Sequence, residues 1–171
     1  GEKYTVGGGY KPHEVVDILG SRHLGNDPTV ALIAANHVLR YTLLFCNHAA
    51  ARVKEVDYPA TISDSKARSF AEHHAGRIRQ GTRHLLAKME RKEIDCSHEF
   101  YLKKFQLSRP RLSYDVILFD EGQDASPVML DTFLRQNARK IIVGDAHQQI
   151  YGWRHAVNAL GEVDFSEYPL T

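Results

Sequence analysis

Two stretches in the last third of the chain combine residue types that can act on a phosphate. The first is Val116-Ile117-Leu118-Phe119-Asp120-Glu121-Gly122-Gln123-Asp124, an apolar run that ends in two carboxylates. The second is Ile141-Ile142-Val143-Gly144-Asp145-Ala146-His147-Gln148-Gln149-Ile150-Tyr151-Gly152-Trp153-Arg154, a second apolar run followed by an acid, amides, aromatics and an arginine. Phosphoryl transfer needs a carboxylate that holds Mg²⁺ and a group that orients or deprotonates the attacking water. Asp120 and Glu121 supply both types side by side, and neighbours on an extended chain point in different directions. An amide at a strand end can sense a phosphate by hydrogen bonding. An aromatic followed by arginine can stack on a base and pair with a backbone phosphate. Each stretch also has a plainer reading: an acidic strand end with Asp124 or Ser126 starting the next helix, and core Tyr151 and Trp153 beside a surface Arg154.

For these groups to converge, the apolar runs must be neighbouring strands. Continuous apolar runs over 116–119 and 140–143 fit fully buried strands of a parallel sheet. Ser126-Pro127 opens a helix over about 127–137 between them, which makes a βαβ unit. Ligand sites in open α/β sheets lie at the carboxyl ends of strands, where both acidic ends fall. A short helix is expected over about 156–160.

The preceding residues read as helical. A short helix fits Pro12 to Leu19. Asn26-Asp27-Pro28 is a capped helix start, and wide apolar coverage predicts a largely buried helix to about Ala51. Residues 52–63 look like a loop. Ser63 or Asp64 caps a helix over about 64–92 that carries Lys66, Arg68, Arg77, Arg79, Arg83, Lys88, Arg91 and Lys92. That helix is either a solvated outer helix or a face turned toward nucleic-acid phosphates. Ser97-His98-Glu99 starts a further helix over about 97–107, ended by Arg109-Pro110.

Length and composition bound the class. With 171 residues, 43 % hydrophobic and 25 % charged, the chain suits one ordinary domain or two small ones. The composition excludes a disordered tail or a collagen-like rod. No run approaches the roughly 18 apolar residues of a membrane span, and no signal peptide opens the chain. Cys46 and Cys96 are too few for a disulfide framework. An intracellular protein, cytoplasmic or nuclear, with no membrane partner is expected. Residues 1–110 carry 17 Lys and Arg against 12 Asp and Glu, and residues 111–171 carry 5 against 9. A basic first part fits a polyanion and an acidic second part fits a cation; a solvated surface explains either balance. The Cys46/His48, Cys96/His98 and His73-His74 spacings do not suit a zinc site.

Taken together, the two acidic stretches resemble the Walker B motif and motif III of UvrD/Rep-like superfamily 1 DNA helicases. The family's D-E-x-Q-D is present as Asp120-Glu121-Gly122-Gln123-Asp124. Its G-D-x-x-Q-x-I-Y-x-[FW]-R-G-A is matched from Gly144 to Ala156, with His155 in place of the glycine. Tyr101-Leu102-Lys103, Gln106-Leu107-Ser108-Arg109-Pro110 and Val157-Asn158-Ala159-Leu160 look like the F-box DNA helicase branch.

The resemblance implies an α/β fold: a partial RecA-like P-loop NTPase parallel sheet preceded by a mainly α-helical insertion subdomain. Residues 1–110 would be the 1B-like accessory subdomain. Residues 111–171 would be the second part of RecA-like domain 1A. Asp120 would coordinate Mg²⁺, and Glu121 would activate water. Gln123 and Gln148 would sense the γ-phosphate, Gln148 in a catalytic role, with Asp145 also on the nucleotide side. Tyr151, Trp153 and Arg154 would contact DNA. ATP and Mg²⁺ are the implied cofactors, and single-stranded and duplex DNA the implied partners. The sequence has no G-x-x-x-x-G-K-[ST] phosphate loop. The chain is therefore expected to be a segment of a larger helicase, inactive alone, with the missing portions in the same chain or a partner chain. The alternatives are a non-catalytic nucleic-acid-binding or scaffold module with a vestigial site, and a helical protein-interaction module.

Overall fold

The computed structural model describes residues 4–145, 148, 159–166 and 168. The helical part is built around one central helix. Helix α1 (Pro12–Leu19) begins with Pro12 in its first turn and ends at Gly20, whose φ of 83° favours glycine. Helix α2 (Ser21–Leu24) follows directly. Helix α3 (Pro28–Asn47) starts as its sequence dictates: the Asp27 carboxylate accepts from the Thr29 and Val30 amides at 2.8 and 3.0 Å. At 20 residues and mean hydropathy 1.4, α3 is long and apolar enough to cross a membrane by composition alone. Its apolarity has another use here, because Ala31, Ala34, Ala35, Val38, Tyr41 and Phe45 form the middle of the helical core. Gly81 allows close approach of helix α5 (Ala75–Glu90), since a Cβ there would lie 2.7 Å from Val38 Cγ2.

Helix α3 stops at Asn47, short of the expected Ala51. The reason lies far along the chain, on helix α6 (His98–Leu107). Lys103 is 1 % exposed and donates from Nζ to the His48 and Ala50 carbonyls at 2.8 and 2.5 Å. Gln106, 2 % exposed, donates from Nε2 to the Ala49 carbonyl at 2.9 Å. Three consecutive carbonyls turn outward to meet these donors, so the helix cannot continue. The ammonium at the negative end of α3 also complements the helix dipole. Burial pushes the Lys103 amine down to about 8.

The expected loop at 52–63 contains two short 3₁₀ turns, Val53–Glu55 and Pro59–Thr61. Tyr41 OH pins it by donating to the Val53 and Val56 carbonyls. Tyr58 stacks on Tyr41 with centroids 4.9 Å apart. The single basic helix expected over 64–92 is two: α4 (Ser65–His73) and α5 (Ala75–Glu90), broken at His74. Helix α4 packs on the Pro59–Thr61 turn and α5 on α3. Serving two partners in different directions accounts for the break, and Gly76 follows it in the first turn of α5.

The remaining elements form the predicted βαβ unit. Strand β1 (Val116–Phe119) pairs in parallel with β2 (Arg139–Ile142), with Val116 opposite Arg139 and Phe119 opposite Ile142. Helix α7 (Pro127–Leu134) connects them, and the short α8 (Ala159–Glu162) follows. The protein is thus a helix-rich α/β fold with a small two-stranded parallel sheet. Ser126 takes the N-cap position of α7 with extended backbone, without a capping bond from its hydroxyl. Helix α7 ends three residues early because Gln136 folds back, donating to the Thr132 and Pro110 carbonyls and accepting from the Leu112 amide.

The expectation of fully buried strands is corrected. Ile117, Phe119 and Ile142 pack toward Leu130 and Phe133, whereas Val116 and Leu118 are 50 % and 61 % exposed and Ile141 and Val143 are also open. The strands have the two-faced apolarity of a sheet covered on both sides, and α7 covers one. Helix α6 joins the two parts, since Gln106 Nε2 also donates to Asp131 Oδ2 of α7 at 2.7 Å.

Candidate functional site

The parallel pairing brings the two acidic strand ends together. Beyond the strands, the Val143 amide donates to the Phe119 carbonyl at 2.8 Å, and the Gly122 amide donates to the Val143 carbonyl at 2.9 Å. The chain after β1 therefore lies against the chain after β2. Two glycines make this approach possible. A Cβ on Gly122 would sit 2.4 Å from Ile142 Cγ2, and one on Gly144 would sit 2.3 Å from Gln123 Oε1.

Asp120 follows β1 directly and is exposed. Its Oδ1 accepts from the Glu121 amide at 3.0 Å. Glu121 is not on extended chain, as its sequence position suggested. It is left-handed, with φ 53° and ψ 44°, and introduces a 3₁₀ turn over Gly122–Asp124. A non-glycine residue in this region stores strain, which is commonest at functional sites.

Gln123 is 1 % exposed, and both ends of its amide are engaged. Its Nε2 donates to Glu121 Oε2 at 2.5 Å, and its Oε1 accepts from the Asp145 amide at 3.1 Å. Asp145 Oδ2 accepts from Gln148 Nε2 at 2.8 Å, and the Gln148 amide donates to the Asp145 carbonyl at 3.0 Å. Asp120, Glu121, Gln123, Asp145 and Gln148 thus occupy one cluster at the carboxyl ends of the sheet. Tyr151, Trp153, Arg154 and His155 lie outside the described residues.

The donor set fits Mg²⁺. The ion prefers carboxylate oxygen, usually takes only one or two protein carboxylates, and keeps waters and substrate phosphates in its other positions. Asp120 offers such an oxygen in Oδ2, at an exposed strand end.

The basic helices spend part of their charge internally. Arg68 donates to the Ile62 carbonyl, Arg77 to the Leu24 carbonyl, and Lys88 and Arg91 share Glu93. Lys66, Arg79 and Arg83 are exposed and make no such bond among the described residues.

Sequence reasoning missed the Gln123 bridge and the two close-approach glycines. The available signal was a glycine beside the acid in each stretch, Glu121-Gly122 and Gly144-Asp145.

Comparison with known proteins matches the same part of the chain. Residues 83–162 match the UvrD/REP helicase N-terminal domain. The UvrD/REP match spans α6, the βαβ unit and the strand-end cluster. F-box DNA helicase 1 of Gallus gallus is 53 % identical over 74 residues, 42 % of this chain and 7 % of that protein. F-box DNA helicase protein 1 of Schizosaccharomyces pombe is 64 % identical over 44 residues, 25 % of this chain and 5 % of that protein. The chain spans less than a tenth of either relative. No solved structure matches it.

Proposed function

We propose that the chain is part of an intracellular ATP-dependent DNA helicase, contributing the metal- and water-handling half of a RecA-like nucleotide site and a helical, 1B-like accessory part. The observation that carries this reading is the convergence of Asp120 and Glu121 with Asp145 and Gln148 at the carboxyl ends of two parallel strands. The UvrD/REP match over the same residues supports it. Asp120 would hold Mg²⁺, which would supply positive charge to the phosphates, and Glu121 would take the proton of the attacking water. Gln148 is exposed and reaches the phosphate side. Tyr151, Trp153 and Arg154 follow it along the chain as the DNA-contacting segment. Lys66, Arg79 and Arg83 remain for nucleic-acid phosphates. The phosphate loop and the cover of the open sheet face come from other helicase portions, in the same or a partner chain.

The test uses the full-length polypeptide. Single-stranded DNA should stimulate its Mg-ATPase and quench Trp153 fluorescence, and Trp153→Ala should remove the stimulation. This chain alone should hydrolyse no ATP. Absence of DNA binding by the full-length protein would overturn the reading.

A further inference from the structure

The family resemblance places Gln123 on the γ-phosphate, but its surroundings in this structure leave it no way to reach one. It is buried to 1 % exposure, and each end of its amide already has a partner. The orientation of the amide is fixed by chemistry. Turned over, its NH₂ would face the Asp145 N–H and its carbonyl would face the Glu121 carboxylate, two repulsive contacts in place of two bonds.

We propose that Gln123 is a positioning residue that sets the carboxylate of Glu121 and ties it to the loop carrying Gln148. The inference deepens the helicase reading and rests on it. Three side-chain bonds link the two groups: Gln123 Nε2 to Glu121 Oε2, the Asp145 amide to Gln123 Oε1, and Gln148 Nε2 to Asp145 Oδ2. A change at Gln148 can therefore be felt at Glu121 without any rearrangement of β1. The left-handed backbone of Glu121 sets where its side chain leaves the chain, and the Gln123 amide sets where the carboxylate ends. Gly144 keeps the space for that amide open, because a Cβ there would occupy the position of Oε1.

Two substitutions separate the two ends of the amide. Gln123→Met keeps the length and removes both bonds. In this chain, exchange of the Asp145 amide proton should speed up about tenfold or more. The Gly122 amide, bonded to the Val143 carbonyl, should stay protected and reports that the fold is intact. In the full-length enzyme, kcat should fall about 10- to 100-fold with KM for ATP nearly unchanged.

Gln123→Glu keeps an acceptor for the Asp145 amide, so that exchange stays slow. It also sets a second carboxylate against that of Glu121 and pushes it out of place, so kcat should fall with KM for ATP nearly unchanged. If Gln123→Met unfolds the site, seen as loss of Gly122 protection, the Gln123→Glu arm decides. A rise in KM for ATP with kcat intact would make Gln123 a phosphate sensor and overturn the proposal. So would Asp145 exchange that ignores Gln123→Met. A wild-type protein without DNA-stimulated ATPase would sink the helicase reading instead, leaving amide exchange to judge the positioning role.

Discussion

The C-terminal end of α3 and the carboxyl ends of β1 and β2 both gather polar groups, and they treat them differently. At α3, the Lys103 ammonium and the Gln106 amide are buried and spend their donors on the carbonyls of residues 48–50. Lys103 and Gln106 are kept from solvent, and the result is a helix stop. At the strand ends, Asp120, Glu121, Asp145 and Gln148 stay exposed, Glu121 is held left-handed, and only Gln123 is buried. Buried groups with their donors spent build a joint; exposed groups around one buried bracket leave a site able to take a ligand.

The same contrast holds for the apolar groups. The helical core encloses α3 between α1, α5 and α6, whereas the sheet packs one face on α7 and leaves the other open. A mutation in the first region should therefore be felt by the isolated chain, and one on the open sheet face should not.

The largest expected effect is at the joint. Lys103→Ala removes a buried stem and leaves the His48 and Ala50 carbonyls without their donor. It should cost about 3 kcal/mol in urea unfolding. Lys103→Met restores the stem and should cost less, the difference measuring the carbonyl bonds. Gly144→Ala drives a methyl into Gln123 Oε1 and should cost about 1–3 kcal/mol. Gly161→Ala meets nothing within 4 Å and should be neutral or slightly stabilising.

The pH dependence comes next. The folded Lys103 amine titrates at about 8 and the unfolded one near 10.5. Between these values the unfolded chain binds more protons, so stability rises with pH, by about 1 kcal/mol from pH 8 to 9. Burial holds the Cys46 thiol protonated up to about 12, against its ordinary 9.0. Above pH 9 the folded chain therefore binds the extra proton at Cys46, which offsets the Lys103 gain. Urea midpoints across pH 7.5–10 should show a rise that flattens, and the rise should be absent in Lys103→Met.

The smallest effect is on the open face. Leu118→Lys should change the stability of the isolated chain by less than about 0.5 kcal/mol and reduce its self-association in sedimentation at micromolar concentration. The same substitution should destabilise the full-length protein, if other helicase portions cover that face.

What the sequence made legible was local or periodic. The Asp27 cap with Pro28, the Ser97 cap of α6, and the strand–helix–strand order all follow from neighbours within a few residues. The acidic cluster was legible as well, because strand ends in a parallel sheet converge whatever the packing. The joint was not, since Lys103 and the carbonyls it meets are more than 50 residues apart. The left-handed Glu121 was not either. No propensity favours that conformation for glutamate, and the neighbouring strand end imposes it. The break at His74 has the same origin, because two packing partners override a continuous helical pattern.

The central claim is that Glu121 acts on water at a nucleotide site and does not merely cap a strand. The most direct measurement is single-turnover ATP hydrolysis and nucleotide affinity of the full-length Glu121→Gln protein with DNA bound. The account predicts hydrolysis slowed by about 10²- to 10⁴-fold with the ATP dissociation constant nearly unchanged. Hydrolysis at the wild-type rate, or a loss fully explained by weaker ATP binding, would contradict it.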